Sequence, residues 1–298
     1  MDQTLAQTRS SASPGRGILW MLLTMALFVG LDTVAKYMSQ SLPVLQLVWA
    51  RNLFHILIMG VFIAPRLPAI LRTQRPGLQV LRSMLLLSAT GFFFSAISFM
   101  PLATANAIMF VAPILVTALS MPLLGERVGP HRWGSVVVGF LGALVIIRPG
   151  TEAMDPAALL ALGAAASYAL YQIITRRLSG VDAPLTTLVY SASVGAVVTS
   201  LAVPTVWVTP APADWLGLVM LGVFGVLGHF TLIKAYEHAP AATLAPFGYS
   251  NLIWATLAGF VIFGDLPDRW TVVGAIIIAA SGLYIVHRER VRKLRGPT

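Results

Sequence analysis

Apolar residues in this chain fall into long runs that recur from near its start almost to its end. Ten of them are discernible, at about 17–37, 44–64, 78–99, 102–124, 133–148, 156–176, 184–204, 213–234, 241–263 and 269–287. A run of roughly 18 or more apolar residues crosses the hydrocarbon core of a bilayer as a helix. Prolines mark nearly every gap: Pro43, Pro65, Pro76, Pro101, Pro130, Pro149, Pro156, Pro184, Pro210 and Pro240. The residue before a proline is pushed out of the helical region, so these are physical stops. The gaps are short, which makes successive helices antiparallel neighbours. The pattern predicts an all-α polytopic membrane protein of ten transmembrane helices.

Two of the runs share their punctuation. PLATANAIMFVAPILVTALSMPLLGE, residues 101–126, aligns without a gap on PAATLAPFGYSNLIWATLAGFVIFGD, residues 240–265. Pro101, Ala103, Thr104, Thr117, Gly125 and Glu126 stand opposite Pro240, Ala242, Thr243, Thr256, Gly264 and Asp265. The correspondence extends outward. Phe28, Asp32 and Lys36 match Tyr168, Gln172 and Arg176; Leu42-Pro43 and Leu47 match Ala183-Pro184 and Leu188; Arg132-Trp133 match Arg269-Trp270. This is an internal repeat of five spans. Five is odd, so the second copy enters the membrane upside down, an arrangement that recurs in secondary transporters with a site near the midplane. The expected organisation is a disordered cytoplasmic lead, 1–16, two five-helix repeats, 17–148 and 156–287, and a basic cytoplasmic tail, 288–298.

Two inverted five-helix halves, each with a Pro-x-Ala-Thr opening to its fourth helix and a Gly-Glu or Gly-Asp close, resemble the drug/metabolite transporter superfamily of EamA type. The resemblance spans residues 17–287. It implies ten helices around a central cavity and movement of small metabolites by alternating access, with substrates such as amino acids, vitamins, S-adenosylmethionine and drugs. The halves depart from strict symmetry where Glu126 becomes Asp265 and Arg51 becomes Ala192.

Composition supports the membrane reading: 57% of the 298 residues are hydrophobic and 10% charged, against about a quarter charged in soluble chains. The net charge of +9 could suggest nucleic acid, but it lies in short loops and the tail, with no aromatic-basic surface to hold a strand. With the start of the chain inside, sixteen of the twenty basic residues lie at inner segments, among them Arg9, Arg16, Arg66, Arg72, Arg75, Arg82, Arg127, Arg176, Arg177 and Lys234. Lys36, Arg51, Arg148 and Arg269 remain on the outer side or in the membrane. That asymmetry predicts both termini cytoplasmic and an even number of spans, in a bacterial-type inner membrane. There are no cysteines, which excludes disulfides, thiol catalysis and Cys-ligated metals. The first span continues through Asp32 and Lys36 and lacks a small-residue cleavage site, so it reads as a helix rather than a cleaved signal.

Ionisable groups within spans cost roughly 2.5–3.5 kcal/mol each and need a partner or a watery cavity. Asp32 and Lys36 lie four apart on the first helix, Arg51 and His55 four apart on the second. Arg51 lies about 12 Å below the loop at Pro43 and Asp32 somewhat shallower, so Asp32–Arg51 is a candidate intramembrane pair; the alternatives are a structural pin or pairing of Asp32 with Lys36. Asn106 on helix four, Tyr168 and Gln172 on helix six, His229 on helix eight, and Tyr249, Asn251 and Trp254 on helix nine suit a cavity for a small organic substrate. Glu126 and Asp265 are expected to cap the helices that follow. Small residues four apart, Ser135, Gly139 and Ala143 against Thr271, Ala275 and Ala279, suggest close packing of helices five and ten, with a possible homodimer face there. No nucleotide-binding loop, hydrolase elbow or metal-spaced His pair occurs, so enzymatic activity, cofactors and metals are not expected. The rival readings are a channel-like facilitator and an integral-membrane lipid-modifying enzyme; the latter would want clustered His or acids at one interface, which the sequence does not offer.

Overall fold

The structure is a computed structural model and describes residues 14–63, 70–125, 129–152, 154–178 and 181–294. Most of the leading segment, Pro65, Arg66, the capping role expected of Glu126, Arg127 and Arg295 lie outside the described residues. Within them the chain is helical throughout, with no strand. Eight helical stretches have the length and apolarity to cross a membrane, and two shorter apolar stretches, Trp133–Ile147 and Arg269–Ile285, complete the expected ten.

The helices are α1 (Pro14–Met38), α2 (Val44–Ile63), α3 (Pro76–Phe99), α4 (Leu102–Met109), α5 (Ala112–Leu124), α6 (Pro130–Ile147), α7 (Ala157–Leu178), α8 (Pro184–Ala202), α9 (Asp214–His238), α10 (Ala241–Gly248), α11 (Ser250–Ala258) and α12 (Arg269–Leu294). Pro76, Pro130 and Pro184 occupy the first turns of α3, α6 and α8, where a missing N–H costs nothing. The end of the bundle where α1 starts and α12 finishes is termed the near end, the opposite one the far end.

The fourth and ninth spans are each broken. Between α4 and α5 the amides of Phe110, Val111 and Ile114 reach back only three residues, to Ala107, Ile108 and Val111. Pro113 follows at the start of α5, and a proline nitrogen has no hydrogen to donate. In the ninth span Pro246 lies inside α10 and the break falls at Tyr249. That span then unwinds into a wider π-turn, Gly259–Phe263, before Gly264 closes it in the left-handed region. Gly125 closes α5 the same way, at φ 69°, a conformation open to glycine without strain.

The halves interlock pairwise. α1 packs on α9 and α3 on α7, α2 lies against α8, and α6 lies against α12. These are the contacts an inverted repeat produces: helix one of each half on helix three of the other, with helices two and five self-paired. Lipid offers no hydrophobic drive between helices, so close packing and small residues hold them. On α7 Ala161, Ala165 and Ala169, spaced by four, are completely buried, and α3 answers with Ala89, Phe93 and Ala96. At the α6–α12 seam a Cβ on Gly274 would lie 2.5 Å from the Gly142 carbonyl, and the Ser281 hydroxyl donates to the Ser135 carbonyl at 3.2 Å. The small-residue faces are therefore spent on each other within one chain.

Candidate functional site

Polar side chains form a column through the middle of this apolar bundle. Toward the far end α1 carries Asp32, six residues before its last residue, and α2 carries Arg51. The Arg51 guanidinium donates to the Thr90 hydroxyl of α3 at 3.4 Å. Asp32 is buried, with Arg51 as its charged neighbour and the Asn106 amide beside it; Asn106 also donates to the Leu102 carbonyl at 3.0 Å. Asp32 and Arg51 face each other without an ion pair at contact distance, since the described ion pairs are Lys36–Asp265, Arg148–Asp268 and Lys234–Glu237.

At mid-depth two imidazoles meet edge to face, His55 of α2 and His229 of α9, with ring centres 5.6 Å apart. Phe28 of α1 completes a row of three rings, 5.5 Å from His229. Among the described residues no group hydrogen-bonds His55 Nε2 or His229 Nδ1, though both atoms are buried. Gly225 on α9 makes the approach possible: a Cβ there would lie 2.9 Å from His55 Nδ1. On the facing helix Tyr168 stacks on Tyr171, centres 5.4 Å apart.

Toward the near end lies the residue that charge counting misplaces. Arg82 was expected among the inner loop charges, but it is a buried residue of α3, 5% exposed. Its guanidinium donates to the hydroxyls of Thr175 (2.7 Å), Ser191 (2.7 Å) and Tyr171 (2.7 Å) and to the Thr187 carbonyl (2.9 Å). It also lies 4.4 Å from the Tyr171 ring centre. Tyr171 acts electrostatically on Arg51 as well. The signal is present: Arg82 is the seventh residue of a run that starts at Pro76, nearly two turns inside the helix. Thr175 and Ser191 carried no comparable mark, since hydroxyls are common in inert helices.

Other expected residues lie apart. Tyr249 stacks on Phe110, its counterpart at the other broken span, with centres 4.7 Å apart, and its hydroxyl lies against Gly282 of α12. Asn251 Oδ1 is buried without a partner among the described residues. Gln172 is half-buried and Trp254 exposed, and neither makes a hydrogen bond or ring contact to the column. Lys36 is not available to Asp32. It binds Asp265 at 3.1 Å and the Met100 carbonyl at 2.8 Å. Asp265 accordingly does not cap α12; Asp268 does, accepting from the Thr271 amide at 2.7 Å.

The loops at both ends are tied. At the far end Arg148 pairs with Asp268 at 2.7 Å, and Gln46 bonds both the carbonyl and the amide of Val208 (2.9 and 3.1 Å). At the near end Asp182 accepts from the Thr73 hydroxyl (2.5 Å), the Gln79 amide (2.8 Å) and the Gln74 backbone (3.4 Å), while Arg177 donates to the Leu123 carbonyl. Desolvation raises the Asp182 carboxyl, but those three hydrogen bonds outweigh it and hold the group below the usual carboxylate range. No group of three or more His, Cys, Asp or Glu side chains able to hold a metal occurs among the described residues.

The EamA-like transporter family model matches this chain twice, over residues 15–148 and 155–287. An S-adenosylmethionine uptake transporter of Rickettsia prowazekii (strain Madrid E) is 31% identical over 274 residues, covering 92% of this chain and 93% of that protein. A riboflavin transporter of Vibrio cholerae is 31% identical over 289 residues, covering 95% and 96%. A solved crystal structure superposes with a TM-score of 0.61 at 20% identity over 91% of this chain, which speaks to the fold alone. Two family matches end to end, on ten helices interlocked as an inverted repeat, place this chain in the EamA-like transporter family, within the drug/metabolite transporter superfamily.

Proposed function

We propose that this chain is a secondary carrier that moves a small amino-acid- or vitamin-like metabolite by alternating access through the column between its halves. The observation that supports it most is the polar lining from Asp32 and Arg51 through His55 and His229 to Arg82, inside a bundle whose outer face is apolar. Polar groups are expensive in a membrane and face interior or water-filled paths. The relatives named for S-adenosylmethionine and riboflavin make those two solutes the first to test. The functional units are the two repeats, 17–148 and 156–287. The excess of Lys and Arg at the near end favours a cytoplasmic near end in a bacterial inner membrane. A homodimer through α6 and α12 would have to use their outward apolar residues, such as Phe140 and Ile276, because the small faces are occupied.

Uptake of each labelled solute into proteoliposomes tests the reading. Saturable uptake, trans-stimulated by unlabelled solute and lost in Arg51→Ala at normal expression, is the expected result. Linear flux indifferent to solute on the other side would point to a channel-like facilitator, and wild-type transport by Arg51→Ala would remove Arg51 from the path.

A further inference from the structure

Three charges lie within the described spans along the column, and they do not balance. Arg51 faces Asp32, whereas the partners of Arg82 are three hydroxyls and one carbonyl. Among the described residues, the groups acting on it electrostatically are Tyr171 and Tyr168, with no acid among them. Neutral partners solvate a guanidinium without neutralising it, and a buried charge without a counter-charge is costly. Arg presents five N–H groups in a rigid fork suited to carboxylate and phosphate. Four are used, and one hydrogen on Nη2 has no partner among the described residues. The unpartnered His229 Nδ1 lies within electrostatic range of both arginines, so the same region offers a further polar contact.

A purely structural clamp of α3 to α7 and α8 could be made by neutral groups, as Thr24 and Thr231 do between α1 and α9 at 2.9 Å. From the uncompensated guanidinium at the near-end side of the column, we infer that the cargo carries an oxyanion, a carboxylate or phosphate, which Arg82 binds during transport. This rests on the carrier reading and narrows it to an anionic or zwitterionic cargo, with Asp32 at the opposite end of the column suited to a cationic or hydrogen-bond-donating part.

Thermal melts of the full chain in nanodiscs test it with matched pairs: S-adenosylmethionine against its decarboxylated form, and riboflavin 5′-phosphate against riboflavin. A carboxylate cargo is stabilising only in the first pair and a phosphate only in the second. At least one oxyanion member should raise the wild-type Tm while its partner does not, and Arg82→Gln should weaken that binding about 10- to 100-fold. Should Arg82→Gln fail to fold, Arg82→Lys, which keeps the charge and loses the fork, should bind measurably more weakly, whereas Leu201→Ala, on the outside of the bundle, should bind as wild type does. Equal stabilisation by the neutral partners, or unaltered binding by the Arg82 variants, overturns the inference. If no oxyanion member binds but riboflavin still accumulates in proteoliposomes, the inference falls and the carrier reading stands. If nothing binds or is moved, both fall.

Discussion

At the scale of single residues, Asp182 ties the loop before α8 to the residues around the start of α3. Asp182 collects three donors from the 73–79 segment and is held below its ordinary range. A depressed carboxyl contributes stability above the unfolded value, about 3.9, and loses it as pH falls through the folded one. Asp182→Asn should therefore lower the melting temperature by a few degrees at pH 7, and the gap to wild type should close as the melt is repeated toward pH 3. The group is half-exposed, so the effect is about 1 kcal/mol or less. Much of the site was legible at this scale, because an ionisable residue in an apolar run is conspicuous: Asp32, Arg51, His55 and His229 stood out for that reason. Arg82 was conspicuous too, but a count that assigns basic residues to loops absorbed it. Gln172 and Trp254 show the limit. Helical spacing says which side chains share a face, not whether another helix brings a partner to that face.

Among elements, the glycines of α9 and α12 decide how closely helices meet. Gly225 is in contact with the His55 ring. Gly225→Ala should push His55 away from His229 and reduce transport several-fold at a stability cost of about 1–3 kcal/mol, read by uptake assays beside thermal melts. At the α6–α12 seam, Gly274→Val meets the Gly142 carbonyl of the backbone as well as the Ile146 side chain. It should destabilise by a similar amount, and transport per folded molecule should be nearly unchanged, since no column residue lies on either helix. The spans themselves could be read from the sequence to within a few residues, because proline stops and apolar runs are local properties. The break at Phe110 and Tyr249 was foreshadowed by Pro113 and Pro246, but the stacking of those two rings joins residues 139 apart in sequence. Likewise the partner of Asp265 could not be read from its neighbours. Its place at a span end suggested a cap, and only the fold brings Lys36 beside it.

For the molecule as a whole, inverted symmetry explains both the interlocking of the halves and the place where they differ. The repeat was visible from matched punctuation, and the pairing of α1 with α9 and α3 with α7 follows from it. The asymmetry is concentrated in the column: Arg51 stands where the other half has Ala192, and Asp32 where it has Gln172. A carrier needs such a column to be wet from one side at a time. The chain has no cysteine, so single cysteines report on it without background, and thiols react with maleimide as thiolates, which need water. The decisive measurement is labelling of His55→Cys and His229→Cys in membranes by a water-soluble maleimide, against the lipid-facing controls Val61→Cys and Leu201→Cys, whose native side chains are 77% and 78% exposed on the outside of the bundle. The account predicts labelling of both column positions and little at the controls. Column cysteines as unreactive as the controls would contradict it.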